Sequence, residues 1–217
     1  MKEGKSASPK TRKVTSGPLR EKERTMNRIV NAVGKVLKKK GYPGLTIANI
    51  ALEAKVDRKL IYTYFGNLDN LVDLFISKRD YWKTKAKTSI DKLLAQDHIS
   101  QEEMESLLIG QFNSVMSDAT LQRILQWELS QHSESLRRLA DEREVVGEQL
   151  IQKLEKNITN SDSDIRALLA LQTAGLYYLA LHANSNGSTF CGLDLHKEED
   201  RERIFQALKR LLKAEIG

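Results

Sequence analysis

With 217 residues, 40% apolar and 29% charged, the chain has the balance of a globular protein, large enough for one domain or a small domain joined to a larger one. Its single cysteine, Cys191, rules out an internal disulfide and favours a reducing, cytoplasmic setting. The N-terminus lacks the apolar core of a secretory leader, and the most apolar run, Leu168 to Ala183, spans 16 residues where a membrane helix needs about 20, so no membrane partner is expected.

The net charge of +6 conceals a division along the chain. Residues 1–24 hold 8 Lys/Arg against 3 Asp/Glu, residues 25–85 hold 12 against 5, and residues 86–217 hold 15 against 21. The first third therefore seeks polyanions and the remainder does not.

In chain order, residues 1–20 offer Ser, Thr, Gly, Pro and Lys/Arg with little to bury, and a disordered basic arm is predicted there. Lys10, Arg12, Lys13, Arg20, Lys22 and Arg24 could reach phosphates or a minor groove, or form a solvated tail. A first helix is predicted over 21–40, with Met26, Ile29, Val33, Val36 and Leu37 on one face and Lys38, Lys39 and Lys40 in the last turn. Gly41 stops it and Pro43-Gly44 turn the chain. Two short helices follow at about 46–54 and 57–65, then a long fourth helix from Gly66-Asn67 to about residue 95. Further helices are expected at about 100–117, 119–131, 134–157, 163–184 and 198–215, with a loop from Asn184 to Asp194. No proline follows Pro43 and no alternating β-branched runs occur, so the expected class is all-α, without a sheet.

The stretch from Thr46 to Phe65 reads as a helix-turn-helix. Thr46 caps the first helix and Ile50, Ala51 and Ala54 face inward, the alanines permitting close approach. Lys55-Val56 make the turn, with Val56 plugging the angle between the helices, and Asp57 caps the second helix. Ile61 and Phe65, four apart, anchor that helix and leave Arg58, Lys59, Tyr62 and Thr63 outward, a set suited to guanine edges and phosphates in a major groove. The free amides following Thr46 could hold a phosphate.

These residues carry a resemblance. Gly41-Tyr42, Thr46, Ile50-Ala51 and Leu60-Ile61-Tyr62-Thr63-Tyr64-Phe65, followed by Asn67 and Leu71, resemble the tetracycline-repressor (TetR) family over about residues 22–78. The resemblance implies a three-helix DNA-binding head joined by a long fourth helix to a helical ligand-sensing and dimerisation domain. It implies DNA contacts at Thr46, Arg58, Lys59, Leu60, Tyr62, Thr63 and Tyr64. Three positions depart from the family pattern. Lys55 stands where glycine is usual, Lys59 replaces a commonly small residue, and Leu68 replaces a lysine that usually touches a phosphate.

The expected organisation is an arm at 1–20, a head at 21–82 and a sensing and dimerisation domain at 83–217. Phe112, Met116, Trp127, Tyr177, Tyr178 and His182 are candidates for an effector pocket between helices, or for ordinary core. Leu168, Leu171, Leu176, Leu179, Phe205, Leu208 and Leu212 are candidates for a dimer interface, because the helix at 163–184 is apolar nearly all round; burial within one subunit is the alternative. His98, His132, His182 and His196 lack metal-ligand spacing, and no nucleophile elbow or phosphate loop appears, so neither metal, cofactor nor catalysis is expected. The functional expectation is a homodimeric, ligand-released repressor that reads double-stranded DNA at a palindromic operator. Its rival is a helical protein-interaction adaptor with a non-reading helix-turn-helix.

Overall fold

The computed structural model describes residues 17–158, 163–187 and 189–216. Among the described residues the fold is all-helical, and the only β-type pairing is an isolated bridge between Phe190 and Leu193. The helices are α1 (Pro18–Lys40), α2 (Ile47–Ala54), α3 (Arg58–Phe65), α4 (Leu68–Ser77), α5 (Lys87–Leu94), α6 (Gln101–Ser117), α7 (Ala119–Ser130), α8 (Glu134–Glu155), α9 (Ile165–Asn186) and α10 (Glu198–Ile216). No helix among the described residues is long and apolar enough to cross a membrane. Most of the expected arm lies outside the described residues, but its last three residues, 18–20, already belong to α1. A proline at the first helical position costs no hydrogen bond, because the first amides of a helix have no partner in any case.

Two apolar clusters organise the chain. The first joins Ile29, Val33 and Leu37 of α1 to Ile50 and Ala54 of α2, Ile61 and Phe65 of α3, and Leu71 and Phe75 of α4. At Gly34 the Phe75 ring packs so closely on α1 that a Cβ there would stand 2.9 Å from Cε2. The second cluster gathers Leu108 and Phe112 of α6, Leu150 and Leu154 of α8, Leu169 and Leu176 of α9, and Leu208 and Leu212 of α10.

Helices α7 and α8 belong to both clusters. Ile124, Trp127, Leu136 and Leu139 complete the first, whereas Leu121, Leu125, Leu150 and Leu154 enter the second. Between its two buried ends, α8 has no buried residue from 140 to 149. The head is thus bolted to the body by the same helices that form the body's core.

One expectation is corrected. The fourth helix does not run to residue 95; α4 ends at Ser77 and α5 begins at Lys87. Asp80 makes the break. Its Oδ1 accepts the Lys83 amide at 3.0 Å, and its carbonyl accepts the Thr84 hydroxyl. Such local bonds satisfy the backbone in a turn rather than a helix. The other oxygen of Asp80 is taken by Arg143 of α8, at 2.8 Å from Nε and 2.7 Å from Nη2.

Candidate nucleic-acid interface and effector cleft

The short helices of the head are capped at both ends. Thr46 Oγ1 accepts the Asn49 amide at 3.2 Å. The Asn49 side chain ties α2 to the preceding turn through Gly44 O at 2.8 Å and to Lys40 Nζ at 2.8 Å. At the C-terminus of α2 the Lys55 amide donates to Leu52 O at 3.2 Å and the Val56 amide to Ala51 O at 3.0 Å. This double bond pattern places the intervening residue in the left-handed region, and Lys55 has φ 54° and ψ 53°. The Asp57 carboxylate caps α3 by accepting the Lys59 amide at 2.7 Å.

These turns present one side of α3. Ile61 and Phe65 are buried, while Arg58, Lys59 and Thr63 are exposed and Tyr62 keeps 54% of its surface accessible. Neither Arg58 nor Lys59 forms an ion pair among the described residues, so both cations remain available. Thr46 is exposed at the start of α2, beside the amides of its first turn.

Leu60 and Tyr64 are half-buried. Tyr64 leans edge-on against Phe65, with ring centroids 6.4 Å apart, and Lys22 Nζ stands 5.6 Å above its ring. The first turns of α1 therefore bring a lysine beside the outer end of α3. Leu68, in place of the family's lysine, packs half-buried against the head cluster.

The body holds a second feature. Between α8 and α9 lies a cleft of about 540 Å³. Small residues open it: Ala140 and Gly147 line it from α8, and Ala170, Thr173 and Ala174 from α9. Its inner wall carries Trp82, Gln111, Glu128, Arg143 and Tyr177, while Glu144, Glu148 and Arg166 stand toward its rim.

Charges within the cleft are unevenly matched. Asp80, 1% exposed, holds Arg143 behind the wall, and Arg143 Nη1 reaches Glu128 at a longer 3.4 Å. Burial opposes the charged guanidinium, but the Asp80 carboxylate, with Tyr177 and Glu128, outweighs it and raises the Arg143 pKa. Tyr177 accepts a hydrogen bond from Gln111 Nε2, and burial pushes its phenol pKa up. Arg166 is engaged by Glu148 at 2.6 and 3.0 Å and by Glu155 at 2.7 and 3.2 Å.

The six residues proposed from sequence for an effector site are not brought together. Only Tyr177 lines the cleft. Phe112 is fully buried in the body core, edge-on to Phe205 at 5.5 Å, and Met116 packs at the margin of the same core. Trp127 belongs to the head cluster, stacked on Tyr42 at 4.4 Å. Tyr178 and His182 form an outer aromatic group with Phe190, at centroid distances of 5.3–5.8 Å. Arg143, Glu128, Gln111 and Trp82 were missed. The available signal was Gly147, an interior helical glycine far from any cap, with Ala170 and Ala174 to match it.

The residues proposed for dimerisation also divide. Leu176, Leu208 and Leu212 are buried in the chain's own core, while Leu168, Leu179 and Phe205 are half-buried against it. Leu171 stands out at 73% exposure, on an outer strip of α9 that includes Ala167, Ala170, Ala174, Gly175 and Tyr178. Leu211 of α10 is exposed as well.

A capped helix-turn-helix with an exposed second helix is a DNA-binding motif. Residues 25–74 match the family described as bacterial regulatory proteins, tetR family. The HTH-type transcriptional regulator HbdR of Aromatoleum sp. (strain CIB) is 38% identical over 69 residues, which is 32% of this chain and 30% of that protein. Among solved structures, FadR of Bacillus subtilis in complex with stearoyl-CoA superposes with a TM-score of 0.61 at 19% identity, covering 86% of this chain and 96% of that one. A TetR transcription regulator from Haloarcula marismortui gives 0.61 at 18% identity, covering 89% and 98%. NalD of Pseudomonas aeruginosa, the secondary repressor of a multidrug efflux pump, gives 0.55 at 19%, covering 86% and 96%. The head thus matches the tetR family of bacterial regulatory proteins over residues 25–74, the chain spans about a third of the length of the curated relative it matches, and the whole shares the fold of these solved regulators.

Proposed function

We propose that the chain is a ligand-released repressor that binds a palindromic operator as a homodimer. The head, residues 21–82, carries α3 into the major groove. Arg58, Lys59, Tyr62 and Thr63 meet bases and phosphates, Thr46 meets a phosphate, and Leu60 and Tyr64 sit at the margin of the contact. The remainder, 83–217, takes an effector in the α8–α9 cleft and pairs with a second copy through the outer strip around Leu171. Two heads in successive major grooves stand about 34 Å apart.

One observation carries this reading. The outward side of α3 bears two cations without an ion pair among the described residues and a half-exposed tyrosine, on a helix held from behind by Ile61 and Phe65. Later helices join the head cluster through Ile124, Trp127, Leu136 and Leu139 without burying that outward side. The structural neighbours, one solved with stearoyl-CoA and one a repressor of an efflux pump, support a ligand-responsive reading.

Fluorescence anisotropy with the DNA upstream of the chain's own gene, at two salt concentrations, tests the reading. A regulator binds that DNA well above a scrambled duplex, and Arg58→Ala costs about 1–3 kcal/mol with relaxed selectivity at one base pair. Weak, sequence-blind and strongly salt-sensitive binding would sink it in favour of the adaptor.

A further inference from the structure

We propose that the α8–α9 cleft selects an organic cation with an apolar body, an ammonium-bearing amphiphile rather than a carboxylate. The inference rests on the effector reading of the cleft and specifies the ligand's charge.

Among the described residues Trp82 Nε1 is buried without a partner, a neutral donor that favours an acceptor, but the charged groups of the lining weigh the other way. On the donor side, Arg143 gives Nε and Nη2 to Asp80 and Nη1 to Glu128. Arg166 spends its guanidinium on Glu148 and Glu155. Both cations that line the cleft are therefore engaged. On the acceptor side the cleft is unsatisfied. Among the described residues Glu128 receives only the 3.4 Å contact from Arg143, although a carboxylate accepts about four hydrogen bonds. Glu144 forms no ion pair among the described residues.

Gln111, 4% exposed, spends its amide nitrogen on the Tyr177 hydroxyl, and its amide oxygen has no hydrogen bond among the described residues. Three acceptors on one lining thus await a donor. Charge agrees: Glu128, Glu144 and Glu148 against Arg143 and Arg166 leave the lining net negative, and Asp80 behind it adds to the excess. A ligand carboxylate would have to compete with Asp80 for Arg143 while facing Glu128.

The apolar surroundings set the rest of the ligand. Trp82 and Tyr177 offer ring surfaces to a cation. Ile151, Leu169 and the alanines of α9 offer a path for a tail. A volume of about 540 Å³ is in the range of pockets for small amphiphiles.

Three probes with one tail and different heads separate charge from greasiness: decylammonium, decanoate and decan-1-ol, each titrated below its aggregation limit. Calorimetry gives affinity, and quenching of Trp82 fluorescence reports the place; Trp82→Phe should remove the optical change and keep most of the heat. Decylammonium should bind about tenfold or more tightly than decanoate, with the alcohol between, and added salt should narrow the gap. Glu128→Gln should weaken decylammonium about fivefold and leave the alcohol unchanged. Glu144→Gln, an exposed position that the fold does not need, should act in the same direction.

Tighter binding of decanoate overturns the proposal and leaves the effector cleft standing. Equal binding of all three, insensitive to both substitutions, also overturns it. If none binds, the proposal falls together with the effector reading of the cleft. None of these results bears on operator binding, which the anisotropy experiment decides by itself.

Discussion

Lys55→Gly is a direct test of how the helix-turn-helix is held. Lys55 occupies the left-handed region at φ 54°, ψ 53°, where a side chain crowds the following carbonyl at a cost of about 1–2 kcal/mol. Glycine removes that cost but gains freedom in the unfolded chain worth about 0.5–1 kcal/mol. The difference is a net stabilisation of roughly 0.5–1 kcal/mol. For a protein of this size it corresponds to about 1–4 °C in thermal midpoint. Lys55 is exposed and forms no ion pair among the described residues, so no lost contact should offset the gain. A second contribution could mimic the effect, because residues 25–85 carry 12 basic against 5 acidic residues and deleting any lysine relieves repulsion. Lys55→Ala removes the same charge without freeing the backbone, so comparison of the two in urea melts at low and high salt isolates the conformational part. Equal stabilisation by alanine, or destabilisation by glycine, would refute the strain argument.

Three other outcomes are expected. Asp80→Asn leaves the buried Arg143 guanidinium with only its longer contact to Glu128 and should cost about 3 kcal/mol in urea unfolding; pairing it with Arg143→Met should recover much of the loss in a double-mutant cycle. Glu103 reaches back to the Ser100 amide at 3.0 Å, and that backbone bond, then Gln96, holds its pKa below the ordinary carboxylate value. Its stabilisation is complete above the ordinary value and disappears as pH falls through the depressed one, so Glu103→Gln should cost about 1 kcal/mol at neutral pH and progressively less in acid, as chemical melts across pH would show. Leu171→Asp should convert a dimer to a monomer in light scattering, with little change in the subunit's unfolding.

The head was legible from sequence because its determinants are local. Caps at Thr46 and Asp57, the glycine stop at 41 and the four-residue spacing of Ile61 and Phe65 each act within one or two turns. The body was legible as helices and illegible as a site. Arg143 sits in the run Asp141-Glu-Arg-Glu144, which reads as a solvated face, and only the tertiary partner Asp80, 63 residues away, makes it an interior group. The same contact hid the end of α4, since neither proline nor glycine marks the break between 78 and 86. Trp127 looked like a pocket aromatic because helical spacing cannot say which of two cores a residue on α7 enters.

That shared membership of α7 and α8 gives the proposed regulation its physical route. A ligand favours one state over another only through contacts that differ between them. A ligand cation that draws Glu128 toward itself pulls on α7 and loosens the 3.4 Å contact with Arg143 of α8, the side chain whose pair with Asp80 anchors the turn after α4. Within one or two turns of Glu128 and Arg143 the same helices hold the head, through Ile124 and Trp127 of α7 and Leu136 and Leu139 of α8. Close-packed cores do not absorb such displacements gradually, so the strain must appear where packing is least continuous. In α8 that place is residues 140–149, where no apolar side chain is buried and Gly147 interrupts the run. A coupling of 1–3 kcal/mol is typical of such arrangements, and a single charge-assisted hydrogen bond at Glu128 exchanged from Arg143 to a ligand is of that order.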